Sequence, residues 1–385
     1  MMGTTSEQER IFHTVRIEDL VPEDHPLREI RKLINTGRIR DLCRDLYCPD
    51  NGRPSIPPEQ LFLAMLGGYL MGVRSDRKLI MELKCNMAFR WFVGLDIDSE
   101  IWDPSTFSKN REHRFDESDV LETLFEDTVK EARRLGLVST HWSADGTLVR
   151  ADASHKSFVP IEVLQTPEQY RESISGKKKS ERRKNKDDDS GNPTVDWRGE
   201  KRSNETHRST TDPDARIATK SSKETASPAY TVNAVMENRH RILMGIGVER
   251  FQGPKSEREG VWYLLKRIGR RLRMKPKSMG MDKGYFEKTL LKRLFACQID
   301  PHVAAMKTGR DPVHTRVRMR IRGAPYRWSQ RARKRIEELW GEAKEEHGFR
   351  RFVRRTLANV RQEAFMMGWL LNLKRLARVM TWTPA

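Results

Sequence analysis

The stretch SMGMDKGY, Ser278 to Tyr285, sets the fold class. Ser278 to Met281 reads as a short strand that runs straight into Asp282. A carboxylate at the carboxyl end of a strand in an α/β sheet occupies the edge where such folds bind ligands. Upstream, Ala229 to Phe251 reads as two strands joined by a turn at Glu237-Asn238-Arg239, a β-hairpin. Ser256 to Arg273 follows as a basic amphipathic helix with Val261, Leu264, Leu265 and Ile268 inward. Downstream come a helix over Phe286 to Cys297, a strand over Asp300 to Lys307, and a basic helix. The order predicts an α/β layer with mixed strand directions.

That basic helix is SQRARKRIEELWGEAKEEHGFRR, Ser329 to Arg351. At roughly 100° per residue, Arg333, Glu337 and Lys344 fall within about 60° of arc on one face. The grouping suits a metal ion on the carboxylate and phosphate oxygens on the two cations. It equally matches ordinary i,i+4 pairing on a solvated charged helix. Two carboxylates upstream tip the balance. Asp145 lies in STHWSADGTLVRADASHK, a β-rich stretch that reads as a strand or hairpin. An acid there costs several kcal/mol if buried unpaired, so it reaches solvent or holds a cation. Asp152, seven residues on, falls on the opposite face, where solvation is expected. Asp145, Asp282 and Glu337 are thus acids within a strongly basic region, and a dication between them would relieve their repulsion. Two Mg²⁺ about 3.5–4 Å apart on carboxylates is the arrangement that cleaves phosphodiesters.

The first third reads as helical. Residues 1–24 form an arm with a possible short strand at Thr14 to Ile17. Apolar residues from Leu27 to Leu46 recur as in amphipathic helices with a break at Gly37. Pro57-Pro58-Glu59 opens an apolar helix to Met71, with Ser55 as candidate cap. Helices over Arg74 to Lys84, Met87 to Val93 and from the Asp103 cap toward Phe115 complete an all-helical unit. It could carry a helix-turn-helix, with Arg74, Arg77 and Lys78, or Lys109, Arg111 and Arg114, on DNA. A further amphipathic helix, Asp119 to Leu137, is ended by Gly136.

The chain holds 73 Lys and Arg against 54 Asp and Glu, a formal charge of +19 and a pI near 9.9, which points to a polyanionic partner. No apolar run reaches the roughly 20 residues of a membrane span and no signal peptide opens the chain, so an intracellular protein is expected. Cys43, Cys48, Cys85 and Cys297 lack zinc or disulfide spacing and read as reduced thiols. Lys177 to Pro193 reads as a flexible charged loop, and Asp196 to Lys220 as an irregular insertion lying on DNA. Arg316-Val-Arg-Met-Arg-Ile-Arg322 alternates like a strand with its apolar face on the core. Arg316, Arg318, Arg320 and Arg322 would then face a DNA backbone. Val360 to Val379 reads as an amphipathic closing helix that packs.

Several stretches in order resemble bacterial insertion-sequence transposases of the DDE class, in the InsH-like, insertion-sequence-five type group. They are GRPSIPPEQLFLAML (Gly52 to Leu66), FRWFVGLD (Phe89 to Asp96), DGTLVRADASHKSF (Asp145 to Phe158), DWRGEKRSN with TDPDAR, MDKGY (Met281 to Tyr285) and the R-x₃-E-x₆-K of Arg333, Glu337 and Lys344. The resemblance implies a helical N-terminal domain over 25–135 and an RNase H-like mixed-sheet catalytic domain over 136–385 with an insertion at about 155–228. It implies Asp145, Asp282 and Glu337 as catalytic metal ligands for two Mg²⁺, with Mn²⁺ as substitute. Arg333 and Lys344 correspond to phosphate-contacting cations, with Arg331, Arg335 and Trp328 as further DNA contacts. The position three before Arg333 is Gln330 where the family has Tyr, so that tyrosine's contact and a hairpin intermediate are not carried over. Cleavage at terminal inverted repeats and joining of the freed 3′-OH to target DNA would follow, in a homodimer or larger assembly in the cytoplasm near the nucleoid. A decayed DNA-binding regulator and an RNase H-like nuclease that cuts without joining are the rival readings.

Overall fold

Caps and prolines set the helix boundaries of the first third. The computed structural model describes residues 15–48, 55–115, 118–161, 203–219, 225–307, 311–321 and 323–382. Ile17–Leu20 is a 3₁₀ turn rather than the strand expected near Thr14. Helix α1 (Pro26–Lys32) starts at the His25 cap, and α2 (Thr36–Cys43) at Asn35, whose side chain accepts from Arg38 N. The break therefore falls before Asn35, and Gly37 lies inside α2. A capping side chain outweighs a glycine as a boundary signal, because it satisfies an otherwise orphan N–H. Helix α3 (Pro58–Leu70) is buried nearly all round, as its composition requires. Ser55 does not cap it but donates to Asn110 Oδ1 at 2.7 Å. Helices α4 (Asp76–Cys85), α5 (Met87–Val93), α6 (Pro104–Asn110, capped by Asp103) and α7 (Val120–Arg134) complete the helical part. Phe62, Phe89, Phe92 and Phe107 lie fully buried at its centre.

Strand β1 (His141–Arg150) organises the rest. Short β2 (Phe158–Pro160) and β3 (His207–Ser209) pair as a separate two-stranded sheet, and β4 (Arg216–Ala218) joins the start of β5 (Ser227–Glu237). β5 runs antiparallel to β1 and to β6 (Leu243–Arg250). The buried Glu237 carboxylate accepts from Arg239 N, His240 N and Ile242 N, which holds the turn expected there. After α8 (Pro254–Arg271), β7 (Ser278–Met281) pairs parallel to β1 on its other edge. After α9 (Lys288–Ala296), β8 (Asp300–Val303) pairs parallel to β7. The spatial order β6-β5-β1-β7-β8, with one antiparallel hairpin followed by two parallel additions across helices, is the mixed sheet of an RNase H-like domain.

Three helices close the chain: α10 (Pro312–Arg320), α11 (Ala324–Glu345) and α12 (Leu357–Trp382). Residues 316–320 are helical, not a strand. Asp311 caps them through Val313 N and Pro312 sits in the first turn, so the helix is nucleated just upstream of the alternating arginines. Val313, His314 and Val317 turn inward, while Met319 is 70% exposed. Helix α12 packs between α7 and β6. Gly368 lies where the surfaces meet, since a Cβ there would stand 3.0 Å from both Ile246 and Phe125. One continuous apolar core therefore joins the helical part to the sheet. Buried Arg74 seals the joint by pairing with Glu363 and donating to Gly348 O at 2.5 Å. Among the described residues no helix is long and apolar enough to cross a membrane.

Candidate active site

The parallel register sets Ser143 opposite Gly280, so Asp145 stands level with Asp282, at the point where β7 has ended. The sheet is open there on that side, and both carboxylates reach the same gap. Asp282 caps the following 3₁₀ turn, accepting from Gly284 N at 2.8 Å through Oδ1. Oδ2 is left for another partner. Helix α11 crosses β1 and β7 on one face. Ser329 abuts Gly280, where a Cβ would come within 2.9 Å of the hydroxyl. Further along, Lys344 Nζ donates to Thr147 Oγ1 at 2.5 Å. Glu337 lies between these two anchors, 54% exposed, with Arg333 Nη1 at 2.9 Å.

Desolvation pushes the Asp145 carboxyl up to about 7, opposed by Arg333 and reinforced by Asp282, Glu257 and Glu337. Residues 137 and 192 positions away in sequence thus act electrostatically on one group. The hydroxyl of Tyr285, wholly buried in the MDKGY turn, has no hydrogen-bond partner in the protein. A carboxyl pushed up by burial and by neighbouring carboxylates, together with an unsatisfied buried hydroxyl, is the donor set a hard divalent cation would satisfy. Asp145, Asp282 and Glu337 would hold it.

The three carboxylates are not drawn tight. Among the described residues, Glu342, Glu346 and His347 are the trio whose ligand atoms all lie within 4.8 Å. That trio already encloses a cation, because Lys374 Nζ sits 2.6 Å from Glu342, 3.0 Å from Glu346 and 3.0 Å from His347. Arg375 pairs with Glu342 as well. We read it as a brace between α11 and α12.

The other expected contacts divide. Lys344 is drawn back to β1, onto Thr147 Oγ1 and Leu148 O. Arg331 is exposed, and Arg335 donates to Asn238 O at 2.5 Å in the hairpin turn. Trp328 is 56% exposed with its ring 4.9 Å from that of His141. Gln330, in the tyrosine position, donates to His302 O at 2.8 Å and Met281 O at 3.3 Å. It thereby ties α11 to the last residue before Asp282.

The arginines read as one basic face do not form one. Arg316 lies 4.0 Å over the Phe295 ring, Arg318 donates to Met306 O at 3.0 Å, and Arg320 pairs with Asp300. Helical geometry spreads them around α10, and aromatic faces, carbonyls and a carboxylate stabilise charges that an extended strand would have stacked together. Arg322 lies outside the described residues, as do Lys177 to Pro193 and Trp197.

Arg74 and Arg111 are likewise spent internally, Arg111 on Asp76 at 2.7 Å, and Arg114 on Ser55 at 2.6 Å. Arg77, Lys78 and Lys109 remain on the surface. The TDPDAR stretch is structural. Asp212 accepts from Tyr230 Oη at 2.7 Å and Thr356 N, and Asp214 accepts from Leu357 N at 2.8 Å to start α12. Its polar composition concealed that anchoring. Asp152, expected to be solvated, pairs with Arg351 and Arg355 at 2.8 and 2.9 Å.

Two family models match the chain: a transposase domain over residues 15–113 and the transposase DDE domain over residues 205–373. The second span includes Asp282 and Glu337 and begins after Asp145. None of the curated proteins matches. Among solved structures, the Mos1 transposase paired-end complex with left transposon end aligns at 9% identity and a TM-score of 0.21, covering 76% of this chain and 81% of that one. So distant a superposition carries no weight beside the strand order, and the assignment rests on the two domain matches. Residues 15–113 thus match a transposase domain and residues 205–373 a transposase DDE domain, and DDE transposases as a class transfer phosphoryl groups on DNA with the help of divalent metal.

Proposed function

We propose that the chain cleaves DNA at the terminal inverted repeats of an insertion sequence of the insertion-sequence-five type and joins the freed 3′-OH ends to target DNA. The observation that carries this reading is the convergence of Asp145, Asp282 and Glu337 on one electrostatic neighbourhood at the open edge of the sheet. In this reading those residues are the catalytic metal ligands for two Mg²⁺. Bound there, the ions would supply Lewis-acid activation of the attacking oxygen and charge neutralisation at the leaving oxygen.

The protein groups do the positioning. Arg333, held by Glu337, presents a guanidinium suited to a phosphate oxygen beside the acids. Gln330 fixes α11 against the end of β7, and so fixes the spacing of Glu337 from Asp282. Arg331, the exposed Trp328 ring and the surface cations Arg77, Lys78 and Lys109 offer contacts to the duplex. Both steps are phosphoryl transfers, first to water and then to the 3′-OH, so no covalent protein–DNA bond or energy source is needed. Two ends must be held together for joining, which calls for at least a dimer in the complex. The helical part, 25–135, would bind DNA and the remainder, 136–385, would carry the chemistry.

The test is incubation of the protein with a labelled end-containing duplex and a target plasmid, with Mg²⁺, with Mn²⁺ and with chelator. Metal-dependent nicking followed by joined products is the expected result. Nicking without joining would make the protein a nuclease, and DNA binding without nicking would make it a regulator.

A further inference from the structure

Nothing in the sequence sets Glu257 apart, since an acid in the first turn of a helix is favoured by the helix dipole. Its surroundings do. Thr147 faces α11 through Lys344, and alternation along β1 turns residue 146 to the opposite face, where α8 lies. Residue 146 is glycine, and a Cβ there would stand 2.7 Å from Glu257 Cγ and 3.0 Å from its carboxyl carbon. The missing side chain thus lets the Glu257 carboxylate close onto β1 next to Asp145. The charges acting on the buried, unpartnered Tyr285 hydroxyl are those of Asp145, Glu257, Asp282 and Arg333. The glycine notch thus sets Glu257 against β1 one residue along from Asp145, and the unsatisfied buried hydroxyl of Tyr285 lies within the field of both carboxylates.

We propose that Glu257 is a fourth carboxylate of the divalent-cation site, reaching it from the side of β1 opposite Glu337, with the Tyr285 hydroxyl completing the polar lining. The proposal rests on the metal-site reading above. A fourth carboxylate brings the ligand charge to that of two dications, so the cations would bind before any DNA phosphate arrives. Removing that charge should weaken cation binding in the free protein, because hard cations are held in proportion to carboxylate number.

The experiment is calorimetric titration of the full chain with Mn²⁺ in the absence of DNA. Wild type, Glu257→Gln, Glu259→Gln and Asp282→Asn are compared, with far-UV circular dichroism confirming the fold of each. Glu259, two residues on and paired with Arg293 at the surface, is the control. Glu257→Gln should weaken Mn²⁺ binding at least about tenfold, and Glu259→Gln should leave it unchanged. Should Glu257→Gln misfold, Glu257→Asp, which keeps the charge on a shorter stem, should still show a smaller loss. Wild-type affinity in a folded Glu257 variant, alongside loss in Asp282→Asn, would overturn this inference alone. Unchanged binding in Asp282→Asn, or no binding by wild type, would overturn the metal site and this inference with it.

Discussion

Two groups of acids lie along helix α11, and the protein treats them in opposite ways. Glu342 is surrounded: burial pushes its carboxyl up, but hydrogen bonds from His347 and Arg375 and the Arg375 charge overcome that and hold it well below the usual range. Asp145, across from Glu337, has Arg333 against desolvation and three carboxylates, and its carboxyl is pushed up to about 7. The first group is neutral as built, with an ammonium in its centre. The second is short of positive charge in a chain of net charge +19. Among the described residues, the trio with its ligand atoms gathered within 4.8 Å is already neutralised by Lys374, whereas on the proposed reading the metal sits where cations are in short supply.

The largest effect should come from removing charge in each group and measuring nicking of an end-containing duplex. Asp145→Asn, Asp282→Asn and Glu337→Gln should each lower the Mg²⁺-dependent rate by at least about a thousandfold, while retaining DNA binding in a mobility-shift assay. Glu342→Gln should nick at the wild-type rate per folded molecule. Wild-type rate in any of the first three would remove that residue from the site.

Stability should invert the comparison. Glu342→Gln leaves buried Arg375 beside a neutral amide, with half-buried Lys374 keeping only the Glu346 carboxylate, so denaturant unfolding should show a loss of about 3 kcal/mol that Mg²⁺ does not restore. Asp145→Asn should not destabilise the metal-free protein. A Glu342 variant as stable as wild type would mean that the brace between α11 and α12 contributes nothing.

The pH dependence sharpens this further. Asp145 has a folded pKa raised above its unfolded value of 3.8, so its contribution is fully present below that value and is lost as pH rises to about 7. With chelator present, wild type should lose about 1–2 kcal/mol relative to Asp145→Asn between pH 4.5 and 8, a figure discounted for the partial exposure of the carboxyl. Glu342, with a lowered pKa, acts in the other direction: its contribution is present above its unfolded value of 4.5 and is lost as pH falls. Parallel unfolding curves for wild type and Asp145→Asn across that range would show that Asp145 carries no such strain.

The sequence made some of this legible and hid the rest for identifiable reasons. Asp282 could be found because a strand ending in a carboxylate is a local pattern, and Glu337 because helical spacing sets it between Arg333 and Lys344. The hairpin, α8, β7 and α9 follow from periodicity and turn residues, whereas the RNase H-like strand order is set by pairings between distant strands and was implied only by the family resemblance. Arg316 to Arg320 misled because alternation over a few residues satisfies a strand, whereas the Asp311 cap and Pro312 that start a helix lie just outside the pattern. Glu257 was invisible because its significance depends on Gly146, more than a hundred residues away and on the opposite side of a strand pairing. Asp212 and Asp214 resembled surface turn residues, and only the folded chain brings Tyr230 and the start of α12 to them.

Gln330 offers the smallest and most specific test. Its amide bridges Met281 O and His302 O, the ends of two adjacent parallel strands, with two donors on one nitrogen. Gln330→Ala leaves those carbonyls to water at the open sheet edge, and should cost about 1 kcal/mol in denaturant unfolding. The more informative readout is metal affinity. If the bridge spaces Glu337 from Asp282, the alanine variant should bind Mn²⁺ several-fold more weakly although no ligand has been touched. Gln330→Tyr has a single O–H in place of the amide's two N–H donors and cannot satisfy both carbonyls, so it should behave like alanine. A tyrosine variant with wild-type affinity would show that α11 keeps its place through packing at Ser329 and Ile336 alone, with the amide contributing stability but not spacing.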